Sequence, residues 1–115
     1  MSLNKTIRPW GEYIILEDTQ KYKSKKIIIN PGQRISYQFH TKRSEVWVIV
    51  SGTGILTLDD AEKKVSYGDA ILIPVYSKHR IHNNSNEKLV LIEVQTGEYF
   101  GEDDITRIDD DYNRK

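Results

Sequence analysis

Turn signals punctuate this chain at intervals of about 8 to 12 residues, and the runs between them are too short for helices. Before residue 100 no stretch carries an apolar face at helical spacing. The runs are β-prone instead: Glu12 to Leu16, Lys23 to Ile29, Arg34 to His40, Glu45 to Val50, Ile55 to Leu58, Lys63 to Ser66, Ala70 to Ile73, His79 to Asn83 and Leu89 to Gln95. A further short strand is expected around Ile105 to Ile108. Asn30-Pro31-Gly32 separates two runs with a clear mechanism, because proline presets φ and glycine accepts positive φ. This pattern predicts an all-β fold, and the recurrence of turn, strand, hairpin and strand in both halves favours a jelly-roll barrel.

A chain of 115 residues is long enough for one core and short for two. Residues 1–115 are therefore read as a single domain, with an N-terminal arm over about 1–17 and a C-terminal tail over about 98–115. Lys plus Arg and Asp plus Glu each total 17, so nucleic acid and anionic membranes are not the expected partners. No cysteine is present, which leaves imidazole, carboxylate and carbonyl oxygen as the donors for any metal. The start resembles no signal peptide, and nowhere do about 18 apolar residues run together, so the expected compartment is the cytoplasm.

The most informative chemistry lies between Gly32 and Gly52. Gln38 and His40 are two apart and project from one strand face. Glu45 opens the next run after a polar turn, and His79 offers a fourth donor from a distant strand. Convergence of Gln38, His40, Glu45 and His79 on one divalent metal is the expectation. A shell of two nitrogens and two oxygens suits zinc, manganese, iron or nickel without choosing among them.

The spacing is Gly32, five residues, Gln38, one, His40, four, Glu45, six, Gly52; then Gly68, five residues, Pro74, followed by His79 and, after three more, Asn83. It resembles the two motifs of the cupin superfamily, with Gln38 at the first histidine of the family's His-x-His. Arg8-Pro9-Trp10-Gly11 with Tyr13, Tyr22-Lys23-Ser24-Lys25, Gln38-Phe39-His40 with Arg43, Glu45 and Trp47, His79-Arg80, Glu93 to Gly97, and Gly101 to Ile105 with Arg107 narrow the likeness further. Together these segments are similar to the C-terminal isomerase domain of type II mannose-6-phosphate isomerases, which usually follows a guanylyltransferase domain. No Gly-rich nucleotide loop precedes Arg8, so nucleotidyl transfer is not expected of this chain.

The resemblance implies a cupin-type double-stranded β-helix holding one divalent cation, zinc first, with manganese, cobalt, nickel or iron as alternatives. It also implies an isomerase interconverting mannose 6-phosphate and fructose 6-phosphate through a cis-enediol, the metal stabilising charge on two oxygens. Lys25, Arg34, Arg43 and Arg80 are the expected substrate-binding cations, and Arg43 and Glu93 the candidate catalytic groups, with His82 a second candidate base. Two other readings use the same shell: a non-catalytic module that binds a sugar or sugar phosphate, and a metal-dependent dioxygenase. The acidic runs Glu102 to Asp104 and Asp109 to Asp111 read as a solvated tail. Val46 to Val50 reads as a strand buried on both faces, its outer side covered by a second copy in a homodimer, with Trp10 to Leu16 able to cross to that copy.

Overall fold

The computed structural model describes residues 4–114, and no helix occurs among them. In chain order the strands are β1 (Asn4–Arg8), β2 (Gly11–Asp18), β3 (Tyr22–Ile29), β4 (Tyr37–Phe39), β5 (Arg43–Ser51), β6 (Thr53–Leu58), β7 (Ala61–Ser66), β8 (Ala70–Ile73), β9 (His79–His82), β10 (Leu89–Gly97) and β11 (Thr106–Asp109). One sheet has the order β1-β2-β3-β10-β5-β8 and the other β11-β4-β9-β6-β7, with antiparallel pairing throughout. This is the jelly-roll arrangement expected from the turn spacing and the double-stranded β-helix that the resemblance implies.

Alternation along the strands decides what faces inward. On β5, Arg43, Glu45, Trp47 and Ile49 are buried between the sheets, while Val46, Val48 and Val50 point out and stay 37 to 40% exposed. The inner face is thus buried as expected, and the outer face is left uncovered by this chain's own sheets. From the same sheet Ile29, Ile73, Leu89 and Leu91, and from the facing sheet Leu56 and Ile81, complete the apolar core. Each fully buried aliphatic side chain stabilises the fold by about 1.5 to 3 kcal/mol, so the apolar half of the interior supports the polar half described below.

Two turns fix the ends of this interior. Asp59 and Asp60, with φ of 47° and 71°, join β6 to β7 by a two-residue connection of the kind that matches strand twist when both central residues are left-handed. At Gly11 a Cβ would meet the Ile28 carbonyl oxygen at 2.0 Å, so only glycine lets β2 lie against β3 here.

Both chain ends join the sheets. The arm is a β-hairpin, β1 pairing β2 and β2 pairing β3 of the same chain. The tail is tied down by β11 pairing β4; Asp104 and Asp110 are buried, against the solvated reading, while Glu102, Asp103, Asp109 and Asp111 are exposed in line with it. Of the expected strand from Arg34 to His40 only Tyr37–Phe39 is regular, Arg34 making an isolated bridge to His82. No helix of the described residues is long and apolar enough to cross a membrane. Residues 1–3 and 115, which the single-domain reading includes, lie outside the described part.

Candidate metal centre

His40, Glu45 and His79 converge as the strand spacing predicts. Their nearest ligating atoms lie within 4.8 Å of one another, and all three side chains are buried. His40 Nε2 stands 3.3 Å from Glu45 Oε2, and His79 Nε2 stands 3.7 Å from Glu45 Oε1. Gln38 is directly opposite His79 across the β4–β9 pair, which places both on one face, and its Oε1 accepts a hydrogen bond from Ser36 at 2.7 Å.

The imidazoles are held in the tautomer that a metal needs. His40 Nδ1 lies 2.6 Å from the Asp104 carbonyl oxygen and His79 Nδ1 lies 2.9 Å from that of Ser77, so each Nδ1–H donates outward and each Nε2 lone pair faces the centre. Burial, then the charge of Arg43 and the neighbouring His79, pushes the His40 imidazole down to about 4. Burial lowers His79 as well. Both rings are therefore neutral at pH 7, as ligands must be. His79 Nε2 is buried without a hydrogen-bond partner, an atom whose desolvation is compensated once a cation is there. Two imidazoles and a carboxylate, with an amide oxygen alongside, fit a divalent metal.

Arg43 is the group that contends with such a cation. Its Nε donates to Glu45 Oε2 at 2.9 Å and its Nη2 lies 3.3 Å from His40 Nε2, so a metal has to displace that second contact. Beyond Glu45, the Trp47 indole N–H is shared between Glu45 Oε1 at 3.1 Å and Glu93 Oε1 at 2.9 Å, and Gln95 donates to Glu93 Oε2 at 2.8 Å. Burial, then the charge of Glu45, pushes the Glu93 carboxyl up to about 7.

One cavity adjoins this centre, and Lys25, Gln38, His40, Arg43, Trp47 and Glu93 are among the residues that line it. It encloses about 70 Å³, well below the roughly 300 Å³ at which pockets for drug-sized ligands begin. Two sequence candidates are elsewhere. Arg34 donates to Asp111 at 2.7 and 2.8 Å, and Arg80 to the Ile35 carbonyl at 2.8 Å and to Asp109 at 3.0 Å. Neither lines the cavity; both bind the tail that was read as solvated. Sequence reasoning also missed Glu102 and Asp104. Glu102 takes Lys25 Nζ at 2.6 Å, and Asp104 accepts from the Thr41 and Lys42 amides at 2.9 and 3.0 Å. Arg8 and Arg107, noticed only for their place in a motif, line the cavity too.

The family described as "Mannose-6-phosphate isomerase C-terminal" matches residues 2–110. The chain belongs to that family. Among curated relatives of this family member, the alginate biosynthesis protein AlgA of Pseudomonas aeruginosa is 42% identical over 107 residues, covering 93% of this chain and 22% of AlgA. Mannose-1-phosphate guanylyltransferase 2 of Escherichia coli O157:H7 is 39% identical over 115 residues, covering 100% of this chain and 24% of that protein. The chain thus spans about a quarter of the length of these relatives or slightly less.

Solved structures agree on the fold. The capsular polysaccharide assembling protein CapF of Staphylococcus aureus superposes with a TM-score of 0.80 at 21% identity, over 95% of this chain and 33% of that one. A cupin-superfamily sugar phosphate isomerase of Silicibacter pomeroyi gives 0.69 at 19% identity, over 74% of this chain and 58% of that one. The expectation of a mannose-6-phosphate isomerase is corrected by the curated relatives. They are named for guanylyl transfer to mannose 1-phosphate and for alginate biosynthesis, which is different chemistry from moving a proton between two sugar carbons.

Proposed function

We propose that this chain is a sugar-phosphate-binding cupin module, with a divalent cation held by His40, Glu45 and His79 and completed by Gln38. Zinc is the first choice for that cation, and manganese, cobalt, nickel or iron would suit the same mixed donors. When bound, the metal supplies a Lewis-acidic contact for hydroxyl or carbonyl oxygens of a sugar. The observation that carries the reading is that His40 and Gln38 line a cavity together with several cationic side chains, which suits a ligand bearing both oxygens and negative charge.

Lys25 and Arg43 belong to this binding surface, and Glu93 orients the Trp47 indole from behind it. Arg34 and Arg80 serve by fastening the tail. Because the enclosed space is small, entry of a phosphorylated hexose draws back the half-exposed Glu102 side chain, which contributes to the lining, while Asp104 stays on His40. Neither nucleic acid nor membrane figures among the partners. A second copy covers the outer face, where Val46 lies between Leu72 and Val94 in cross-strand register and all three are exposed. Sedimentation velocity tests this: a dimer that Val46→Lys dissociates is expected, and a monomeric wild type would remove the inference.

Calorimetric titration of zinc-loaded protein with mannose 6-phosphate tests the main reading. Saturable binding that disappears when the metal is chelated is expected. Heat indistinguishable from dilution, with metal demonstrably bound, would overturn it.

A further inference from the structure

Arg8, Lys25, Arg43, Arg107 and Arg114 all line the cavity. Three of these five cations already have a carboxylate: Lys25 Nζ reaches Glu102 at 2.6 Å, Arg43 Nε reaches Glu45 at 2.9 Å, and Arg114 Nε reaches Asp110 at 2.8 Å. Among the described residues Arg8 and Arg107 pair with no acid. Arg8 donates only to the carbonyl of its own neighbour Ile7 at 3.5 Å, its guanidinium resting 5.4 Å from the Tyr13 ring centre. Arg107 Nε is buried and has no hydrogen-bond partner. A buried donor left without a partner carries an uncompensated desolvation cost, larger when it is charged.

The fold explains how two residues so far apart in sequence come to line one cavity. β1 and β11 are each an edge strand, one of each sheet, and Arg8 and Arg107 reach the same cavity from them. The register then aims Arg107 at the metal centre: Arg107 is opposite Gln38, and Gln38 is opposite His79. Directly opposed residues share a sheet face, so the three form a row across β11, β4 and β9. At about 4.8 Å per strand, Arg107 and His79 are separated by about 10 Å of backbone, with Gln38 midway.

We propose that Arg8 and Arg107 form a phosphoryl subsite in this cavity, holding a phosphate monoester dianion whose sugar lies across Gln38 towards His79. The subsite rests on the reading of the chain as a sugar-phosphate module and adds the residues that read the phosphate. A monoester carries a charge of about −1.5 to −2 at pH 7, which two unpaired guanidiniums match. Guanidinium forks meet phosphate oxygens in pairs, whereas a lysine offers a point charge. Burial and the like charges of Arg114 and Arg8 depress the Arg107 guanidinium, and Asp110 and Glu102, which oppose that, are already engaged by Arg114 and Lys25. Lys25, Arg34, Arg43 and Arg80, the cations singled out from sequence, all have their partners.

Trp10 and Trp47, the chain's two tryptophans, line the cavity, so quenching of intrinsic fluorescence reports occupancy. Zinc-loaded wild type, Arg107→Gln, Arg8→Gln and Arg34→Gln are titrated with mannose 6-phosphate, with inorganic phosphate and with free mannose. Zinc content checks that each variant is folded. The expected result is that Arg107→Gln and Arg8→Gln each weaken mannose 6-phosphate and phosphate by about tenfold or more, that free mannose is unaffected, and that Arg34→Gln behaves as wild type. Phosphate binding that follows the two arginines while mannose 6-phosphate fails to bind would keep the anion subsite and sink the sugar reading. Mannose 6-phosphate binding equally well to wild type and both arginine variants would overturn the subsite alone. Failure of wild type to bind either phosphorylated probe would overturn both.

Discussion

The cavity has two ends that differ in how they are built. At the metal end, Glu45 and His79 are held by near neighbours, Arg43 and Trp47 to Glu45 and Ser77 to His79, while His40 is held by the Asp104 carbonyl from the tail. At the tail end, contacts join residues more than fifty positions apart: Lys25 to Glu102, Arg34 to Asp111, Arg43 to Gly101. The metal end is buried, whereas the tail end has half-exposed partners such as Glu102, 42% accessible at its side chain. The difference separates a preset coordination geometry from a cover held by ion pairs that water and salt can loosen.

Removing a ligand gives the largest effect. His79→Ala deletes a buried imidazole, and zinc affinity is expected to fall by more than about a hundredfold, beyond the loss typical of outer hydrogen-bond partners. Competition with a chromophoric chelator measures this; unchanged affinity would mean that the imidazole is not a ligand.

The two ends are expected to respond to pH in opposite senses in the metal-free protein. Glu93 is raised to about 7, so between about 4.5 and 7 the folded state holds a proton that the unfolded state has released, and stability falls as pH rises through that window. Glu93→Gln removes this loss, making the variant more stable than wild type at pH 8 by up to about 3 kcal/mol and equal to it near pH 4. The amide is accommodated because Gln95 Oε1 is buried and unpartnered, and turning that side chain lets it accept. Asp110 is the counterpart at the other end. Hydrogen bonding by Arg114 lowers it to about 2, so its contribution is complete above about 3.8 and is lost as pH falls through 2. Asp110→Asn is expected to cost about 2 kcal/mol at pH 7 and nothing below pH 2, read from urea unfolding at each pH. Equal pH profiles for wild type and both variants would erase the distinction.

The smallest effect concerns the cover. Glu102→Gln leaves Lys25 buried beside an uncharged partner while the exposed side of the pair keeps its water, so the expected cost is about 1 kcal/mol or less. Amide hydrogen exchange over 100–105 should quicken while that of β9 is unchanged. Faster exchange in both would show that the two ends unfold together.

This asymmetry also governed what could be read from sequence. Gln38, His40 and Glu45 sit within one strand-turn-strand unit, where a period of two and a short turn determine which side chains meet. His79 followed from the second motif. Arg107 and Glu102 did not follow, because their positions depend on β11 pairing with β4, a non-local choice that an acidic, polar stretch does not advertise. Lys25 was placed correctly on an inward face with Ile27 and Ile29, yet its partner lay in the stretch assigned to solvent. The outer valines of β5 mark a limit of another kind: an unbroken apolar run gives strand identity but says nothing about whether the second face is covered within the same chain.

X-ray absorption at the zinc edge of the loaded protein probes the centre most directly. One zinc per chain is expected, with two imidazole nitrogens and the remaining donors oxygen, and one imidazole fewer in His79→Ala. A shell of oxygen donors alone, or a spectrum that His79→Ala leaves unchanged, would contradict it.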